Sequence, residues 1–262
     1  MPCCGLFRSN RKMNEHPQPV LVEYPVPSTA PPALRRRPLL TSKFIVAIDF
    51  GTTFTGVAWG HFDGSTSVDG HSSNTKWLAE RVFIYKKWPG SSNAYAEKTP
   101  TVISYASKQP TWGGKVRSHH KLQVSWFKLG LDPENVRDVF GLEDGVVGLV
   151  PELHRSALDV TADFLTQVNQ HIKVKALADA FGEGFPATQG KMYMLTVPDI
   201  WSDRAKDLTH QAAMKAGIPV GRMVLVTEPE AAALFASMAG DQVDLEKHDA
   251  FVICDAGGRT VV

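Results

Sequence analysis

The chain has 262 residues, a formal net charge of +1, 43% hydrophobic and 21% charged residues, the size and balance of one large or two small globular domains. That balance gives no global reason to expect nucleic acid or an acidic partner, and no run of about 18 apolar residues is present to cross a membrane as a helix. Three cysteines make no disulfide framework, and the amino terminus lacks the apolar core of a secretory signal, so the cell interior, cytoplasmic by default, is the expected compartment.

Residues 1–42 carry Pro17, Pro19, Pro25, Pro27, Pro31, Pro32 and Pro38 with an Arg35-Arg36-Arg37 cluster, and read as a disordered tail. At its tip the adjacent Cys3 and Cys4 stand near Arg8, Arg11 and Lys12. Acyl chains on both thiols, with the basic residues drawn to anionic lipid, would make a peripheral membrane anchor. Two free thiols on an unstructured end is the simpler reading and the preferred one.

Phe44 to Phe50 reads as a buried strand, Gly51-Thr52-Thr53 as a turn, and Phe54 to Trp59 as a second strand. Gly51 lets the backbone pass close to a ligand. Asp49, leaving the strand into the turn, is suited to hold the water shell of a magnesium ion, which prefers few carboxylates and several waters. Thr52 and Thr53 offer hydroxyls and N–H groups to terminal phosphate oxygens. An ordinary β-hairpin uses the same residues, and the segments downstream decide between the two.

Val82 to Tyr85 and Thr101 to Tyr105 read as strands of a small inserted sheet, with Trp88 to Asn93 as a loop between them. The run from Trp112 through Gly113, Gly114, Lys115 and Arg117 lacks the lysine-Ser/Thr pair of a P-loop. His119 and His120 have no companions at ligand spacing and read as loop histidines. From Glu152 onward Leu153, Ala157, Leu158, Phe164, Leu165, Val168 and Ile172 recur at helical spacing, so a long amphipathic helix is expected to pack on the main sheet. Gly182 to Gly190 then crosses into a strand from Met192 to Val197. The next helix is capped by Ser202 or Asp203, striped by Ala205, Leu208, Ala212 and Ala216, and ended by Gly217 and Pro219. Met223 to Thr227 is a strand running into a helix, where Thr227 and Glu230 have capping-box spacing and Pro229 suits the first turn. Phe251 to Cys254 is a last strand, an edge open to pairing.

Four of these segments, in this order, resemble the Hsp70 family of the actin-like ATPase superfamily. They are Asp49 to Thr55 as a first phosphate loop, Thr196-Val197-Pro198 with Ala216-Gly217-Ile218, Glu228-Pro229 with Ala231-Ala232-Ala233, and Asp255 to Thr260 as a second phosphate loop. The middle, with Thr99 to Tyr105 and Trp126-Phe127-Lys128-Leu129, looks most like the fungal and animal Hsp70-like branch. The resemblance implies a ribonuclease H-like α/β lobe: a mixed five-stranded sheet with flanking helices and a small inserted sheet region. It places a first lobe at 43–240, an inserted subdomain at about 76–125 and the opening strand of an incomplete second lobe at 241–262. The rest of that second lobe, the adenosine pocket and the substrate-binding region have no residues here to match.

The resemblance further implies Mg-ATP held between two phosphate loops, hydrolysis by in-line attack of water where both lobes are complete, and chaperone-type work with protein clients or co-chaperones. By position, Asp49, Gly51, Thr52, Thr53 and Phe54 fall in the first loop and Asp255, Gly257, Gly258 and Thr260 in the second. Asp49 and Asp255 would hold Mg2+ through water. Glu228 matches a water-orienting carboxylate, Pro198 the interlobe switch proline and Lys206 the basic residue that senses it. Each also has a plain structural use: Pro198 ends a strand, Glu228 starts a helix, and Lys206 is a solvated side chain. The family's catalytic lysine falls on Arg117 or, with a slip of two, on Lys115. An arginine there would stabilise phosphoryl charge and serve poorly as a base. Arg259 stands where the family has a third glycine, and Val262 where it has an acidic residue. These departures motivate a second expectation, a catalytically silent interaction module or remnant of such an ATPase. A sugar kinase of the same superfamily is a third, against which the Glu-Pro-x-Ala-Ala-Ala run speaks.

Overall fold

Side chains alternate along strand β2 (Phe44–Phe50), so that Phe44, Val46, Ile48 and Phe50 form one buried face and Asp49 points the other way. The computed structural model describes residues 4–8, 44–61, 82–93, 95–117, 122–135, 153–182, 191–239, 251–255 and 257. Strand β3 (Phe54–His61) folds back antiparallel on β2, with Asp49 opposite Gly56. On the other side of β2 lies β9 (Lys191–Val197), parallel to it, and β10 (Met223–Thr227) continues parallel on β9. The outer edge of β3 is long enough for two short partners in tandem. Strand β5 (Lys98–Pro100) pairs with its Phe54–Gly56 half, and β4 (Val82–Ile84) with its Ala58–Gly60 half. The sheet therefore runs β10-β9-β2-β3-β4, with β5 sharing the edge of β3.

This is the mixed α/β sheet that the sequence led us to expect, with six strands in place of five because two short strands share the outer edge of β3, and with one reassignment. The small second sheet is made of β6 (Val102–Ser104) between β7 (Thr111–Trp112) and β8 (Gln123–Ser125). Val82–Ile84, expected in that insertion, joins the main sheet instead, because the far half of β3 would otherwise be an open edge.

Helix α1 (Ala157–His171) begins where Ser156 accepts a hydrogen bond from the Asp159 N–H at 3.1 Å, later than the Glu152 start that periodicity suggested. It passes through a π-helical turn at Ile172–Ala176 into α2 (Leu177–Phe181). Phe164, Leu165, Val168 and Ile172 are fully buried. The rings of Phe50, Phe127 and Phe164 meet with centroids 5.5–6.2 Å apart, tying β2, the Phe127–Leu131 turn and α1 into one core. Helix α3 (Asp203–Lys215) packs on α1 and is capped by Ser202, the first of the two expected candidates. Gly217 ends it with φ +79°, a left-handed conformation that glycine adopts without strain. Helix α4 (Glu228–Ala239) opens on the expected capping box: Glu230 N–H donates to Thr227 Oγ1 at 3.3 Å and Thr227 N–H to Glu230 Oε2 at 3.0 Å.

Within the segment expected as a tail, five residues form a strand. Strand β1 (Cys4–Arg8) pairs antiparallel with β11 (Phe251–Asp255), Cys4 opposite Asp255 and Arg8 opposite Phe251. Without it the β11 edge would leave N–H and C=O groups unpaired. Cys3, residues 9–43 and residues 240–250, and with them the anchor reading and the boundary at 241, lie outside the described residues. Among the described residues no helix is long and apolar enough to cross a membrane.

One half-buried base sits at the end of α1. Tyr85 donates its hydroxyl proton to the Lys87 carbonyl at 2.6 Å, so the His171 imidazole, 2.8 Å away, donates to the tyrosine oxygen from Nε2. Trp88 stacks on the same ring and Trp112 meets it edge-on. Burial first, and then the Lys115 and Lys175 charges, hold the His171 pKa below its ordinary 6.5 against the opposing pull of Asp179. A base with a depressed folded pKa stabilises the fold fully above the unfolded value and loses that stability as pH falls below it. The thermal midpoint of the chain is therefore expected to drop as pH is lowered from 6.5, and His171→Phe to flatten that slope. A variant slope equal to that of the parent chain would rule the group out.

Candidate functional site

The three parallel strands β2, β9 and β10 end at the same edge of the sheet, which is where α/β sheets hold ligands. That edge brings together Asp49, Thr196 and the Thr227-Glu228 junction. Thr196 Oγ1 accepts from the Phe50 N–H at 3.2 Å and donates to Asp49 Oδ1 at 3.1 Å. Asp49 Oδ2 accepts from the Lys98 ammonium at 2.6 Å, with both side chains about two-fifths exposed (38% and 42%).

Beyond Asp49 the chain turns through Gly51, Thr52 and Thr53. The Gly51 N–H closes the turn on the Phe54 carbonyl at 3.1 Å, and a Cβ on Gly51 would lie 2.4 Å from that same oxygen. Thr101 clamps the turn from outside. Its N–H donates to Thr53 O at 2.8 Å and its hydroxyl to Gly51 O at 2.8 Å. With that proton spent, Thr55 donates its own hydroxyl to Thr101 Oγ1, also at 2.8 Å. Thr52 is buried and Phe54 half-exposed, and among the described residues nothing pairs with the Thr52 N–H. The turn is thus held by hydrogen bonds from Thr101 and within itself.

Glu228 begins α4 with its carboxylate committed. Oε1 accepts from the Lys128 ammonium at 2.6 Å. Lys128 is 2% exposed and its charge lies 5.5 Å from the Phe50 ring centroid and 5.3 Å from that of Trp201. Neither Lys98 nor Lys128 was singled out from the sequence. A lysine inside the apolar run Trp126-Phe127-Lys128-Leu129 was the available signal, since a buried ammonium requires a carboxylate partner. Lys98 had no local signal, because its meaning depends on strand register.

The other expected site residues are dispersed. Arg117 is exposed beyond the 3₁₀ turn Gly113–Lys115 and makes no bond to Asp49. The Lys115 charge acts on His171 instead. The turn carrying Lys115 is pressed against Gly90, whose Cβ would meet Gly114 backbone at 2.4 Å. Pro198 is buried at the end of β9, its carbonyl accepting from Trp201 N–H at 3.4 Å. Lys206, on α3, is among the charges that lower the Glu230 pKa, after the Thr227 hydrogen bonds. Asp255 ends β11 with its backbone opposite Cys4, and Gly257 is exposed. Gly258, Arg259, Thr260 and Val262, and His119 with His120, lie outside the described residues.

Among the described residues no three His, Cys, Asp or Glu side chains converge as a metal site. Asp49 is the described carboxylate expected to face Mg2+, yet one oxygen holds an ammonium at 2.6 Å and the other a hydroxyl at 3.1 Å. A dication held there through its water shell would compete with the Lys98 ammonium for the same carboxylate, so these donors do not fit Mg2+ as they stand.

No family model matches the chain. It is similar to Heat shock 70 kDa protein 12A of Homo sapiens, 29% identical over 219 residues that cover 73% of this chain and 28% of the relative. The Mus musculus protein of the same name matches to the same extent. Heat shock 70 kDa protein 12B of Homo sapiens is 26% identical over 231 residues, 80% of this chain and 30% of the relative. The chain thus spans under a third of the length of these relatives. Similarity of this extent, met on a mixed sheet with the Asp49–Phe54 hairpin at the carboxyl ends of its parallel strands, supports the actin-like ATPase superfamily for this chain.

Proposed function

We propose that this chain is an Hsp70-like nucleotide-binding lobe that grips the polyphosphate of ATP or ADP at the Gly51–Phe54 turn. The observation that carries the reading is the turn itself. It is clamped by Thr101 on one side, it keeps the Thr52 N–H unpaired among the described residues, and it has a cation beside it in Lys98. Oriented amides and a nearby cation are what a phosphate chain requires. The similarity to heat shock 70 kDa relatives supports the same reading, and through them it extends to chaperone-type work on protein clients.

Binding without efficient turnover is the form we favour. Glu228, expected to orient the attacking water, is held by Lys128, and Arg117 makes no bond to Asp49. This meets the silent-module expectation half-way, since a lobe that binds nucleotide and hydrolyses it poorly still has a ligand-dependent surface. Calorimetric titration of the 262-residue chain with ATP, ADP, AMP and pyrophosphate tests it. Affinity is expected to rise with phosphate number, and pyrophosphate is expected to compete with ATP. AMP binding as tightly as ATP would sink the reading, because recognition would then lie away from the phosphate turn.

A further inference from the structure

Asp49, Gly56 and Lys98 stand in register across three neighbouring strands, Asp49 opposite Gly56 on β2 and β3, and Gly56 opposite Lys98 on β3 and β5. The middle residue has no side chain, and the space this leaves is used. A Cβ on Gly56 would lie 3.3 Å from Lys98 Cγ and 3.6 Å from Lys98 Cε, so the lysine stem runs across the glycine to bring its ammonium to Asp49 Oδ2 at 2.6 Å. Glycine in a strand interior commonly marks such a close approach. The ammonium arrives at the carboxylate that leads into the phosphate turn, and it stays partly exposed, 38% for Lys98 and 42% for Asp49, so a ligand can reach both.

We propose that the Lys98 ammonium, delivered across Gly56 onto Asp49, is the resident cation of this phosphate site, neutralising the terminal phosphates of a bound nucleotide so that Mg2+ is not required for binding. The inference rests on the nucleotide-binding reading above and names the group that meets the phosphate charge. A half-exposed ion pair is weak, so Lys98 can exchange Asp49 for a phosphate oxygen at little cost. The new bond is a charge-assisted one to a more highly charged partner. Asp49 then acts as a positioning residue, holding the ammonium at the mouth of the turn while the site is empty.

The test is a titration of the full chain with ATP and with pyrophosphate, in excess Mg2+ and in EDTA, repeated for Lys98→Met, Asp49→Asn and Gly56→Val. The parent chain is expected to bind with affinities within about threefold in the two conditions. Lys98→Met is expected to weaken binding in EDTA by roughly tenfold or more, the worth of one charge-assisted hydrogen bond. Gly56→Val keeps the lysine and blocks its path, and should weaken binding in the same direction. Asp49→Asn frees the ammonium while keeping an acceptor for Thr196, and should bind pyrophosphate in EDTA at least as well as the parent. Far-ultraviolet circular dichroism confirms that each variant is folded. A Mg2+ requirement of about tenfold in the parent, a Lys98→Met affinity equal to the parent's, or loss of binding in Asp49→Asn would overturn the inference and leave nucleotide binding standing. Absence of saturable binding in both conditions would overturn the two together.

Discussion

Lys128→Ala is expected to lower the stability of the chain by roughly 3–5 kcal/mol, the cost of breaking a buried ion pair and leaving its partner without a counter-charge. The lysine is 2% exposed and Glu228 only 13%, with the ammonium 2.6 Å from the carboxylate. The rings of Phe50 and Trp201 that face the ammonium give water little access to replace it. Glu228 also opens α4, so an unpaired charge there would loosen the junction between β10 and the helix. The double variant Lys128→Met with Glu228→Leu removes both charges and should recover most of the loss, since hydrophobic replacement of a buried pair is often neutral or stabilising. Urea unfolding of the three proteins reads the effect. A single-variant cost below about 1 kcal/mol would mean that the pair behaves as a solvated one.

Gly51→Ala should act on the Gly51–Phe54 turn, the proposed phosphate grip, more severely than any change of its hydroxyls. The added methyl would lie 2.4 Å from the Phe54 carbonyl oxygen, the acceptor of the bond that closes the turn. Backbone has to move, and the clamp from Thr101 to Gly51 O and Thr53 O moves with it. We expect a stability loss of roughly 1–3 kcal/mol, typical of overpacking, together with loss of ATP and pyrophosphate binding by about tenfold or more as the amides lose their common aim. Titration alongside a denaturant curve separates the two effects. A folded Gly51→Ala protein that binds ATP like the parent would show that the turn does not hold phosphate.

The strands and caps were readable because each rests on short-range chemistry. A continuous apolar run gave β2, hydroxyl N-caps gave the starts of α3 and α4, and Gly217 gave the end of α3. The Thr227–Glu230 box needed only three residues of spacing. What escaped the sequence depends on register between distant segments. Lys98 reaches Asp49 only because β5 pairs with one half of β3, and Lys128 finds Glu228 across a separation of 100 residues. The start of α1 was set too early because Leu153 continues the apolar periodicity while Ser156 supplies the cap. Asp132, buried and accepting from the Ser202 N–H and hydroxyl, likewise positions α3 from a loop whose own sequence gives no hint of it.

Pairing of Cys4–Arg8 with Phe251–Asp255 closes a loop around nearly all the described residues. Closing such a loop carries an entropic penalty, and long-range pairings of this kind form slowly. The β1–β11 ribbon should therefore assemble after the main sheet and be the first to open in the native state. In hydrogen exchange its amides would lose protection at a lower free energy than those of β2 and β9, marking it as a separate cooperative unit.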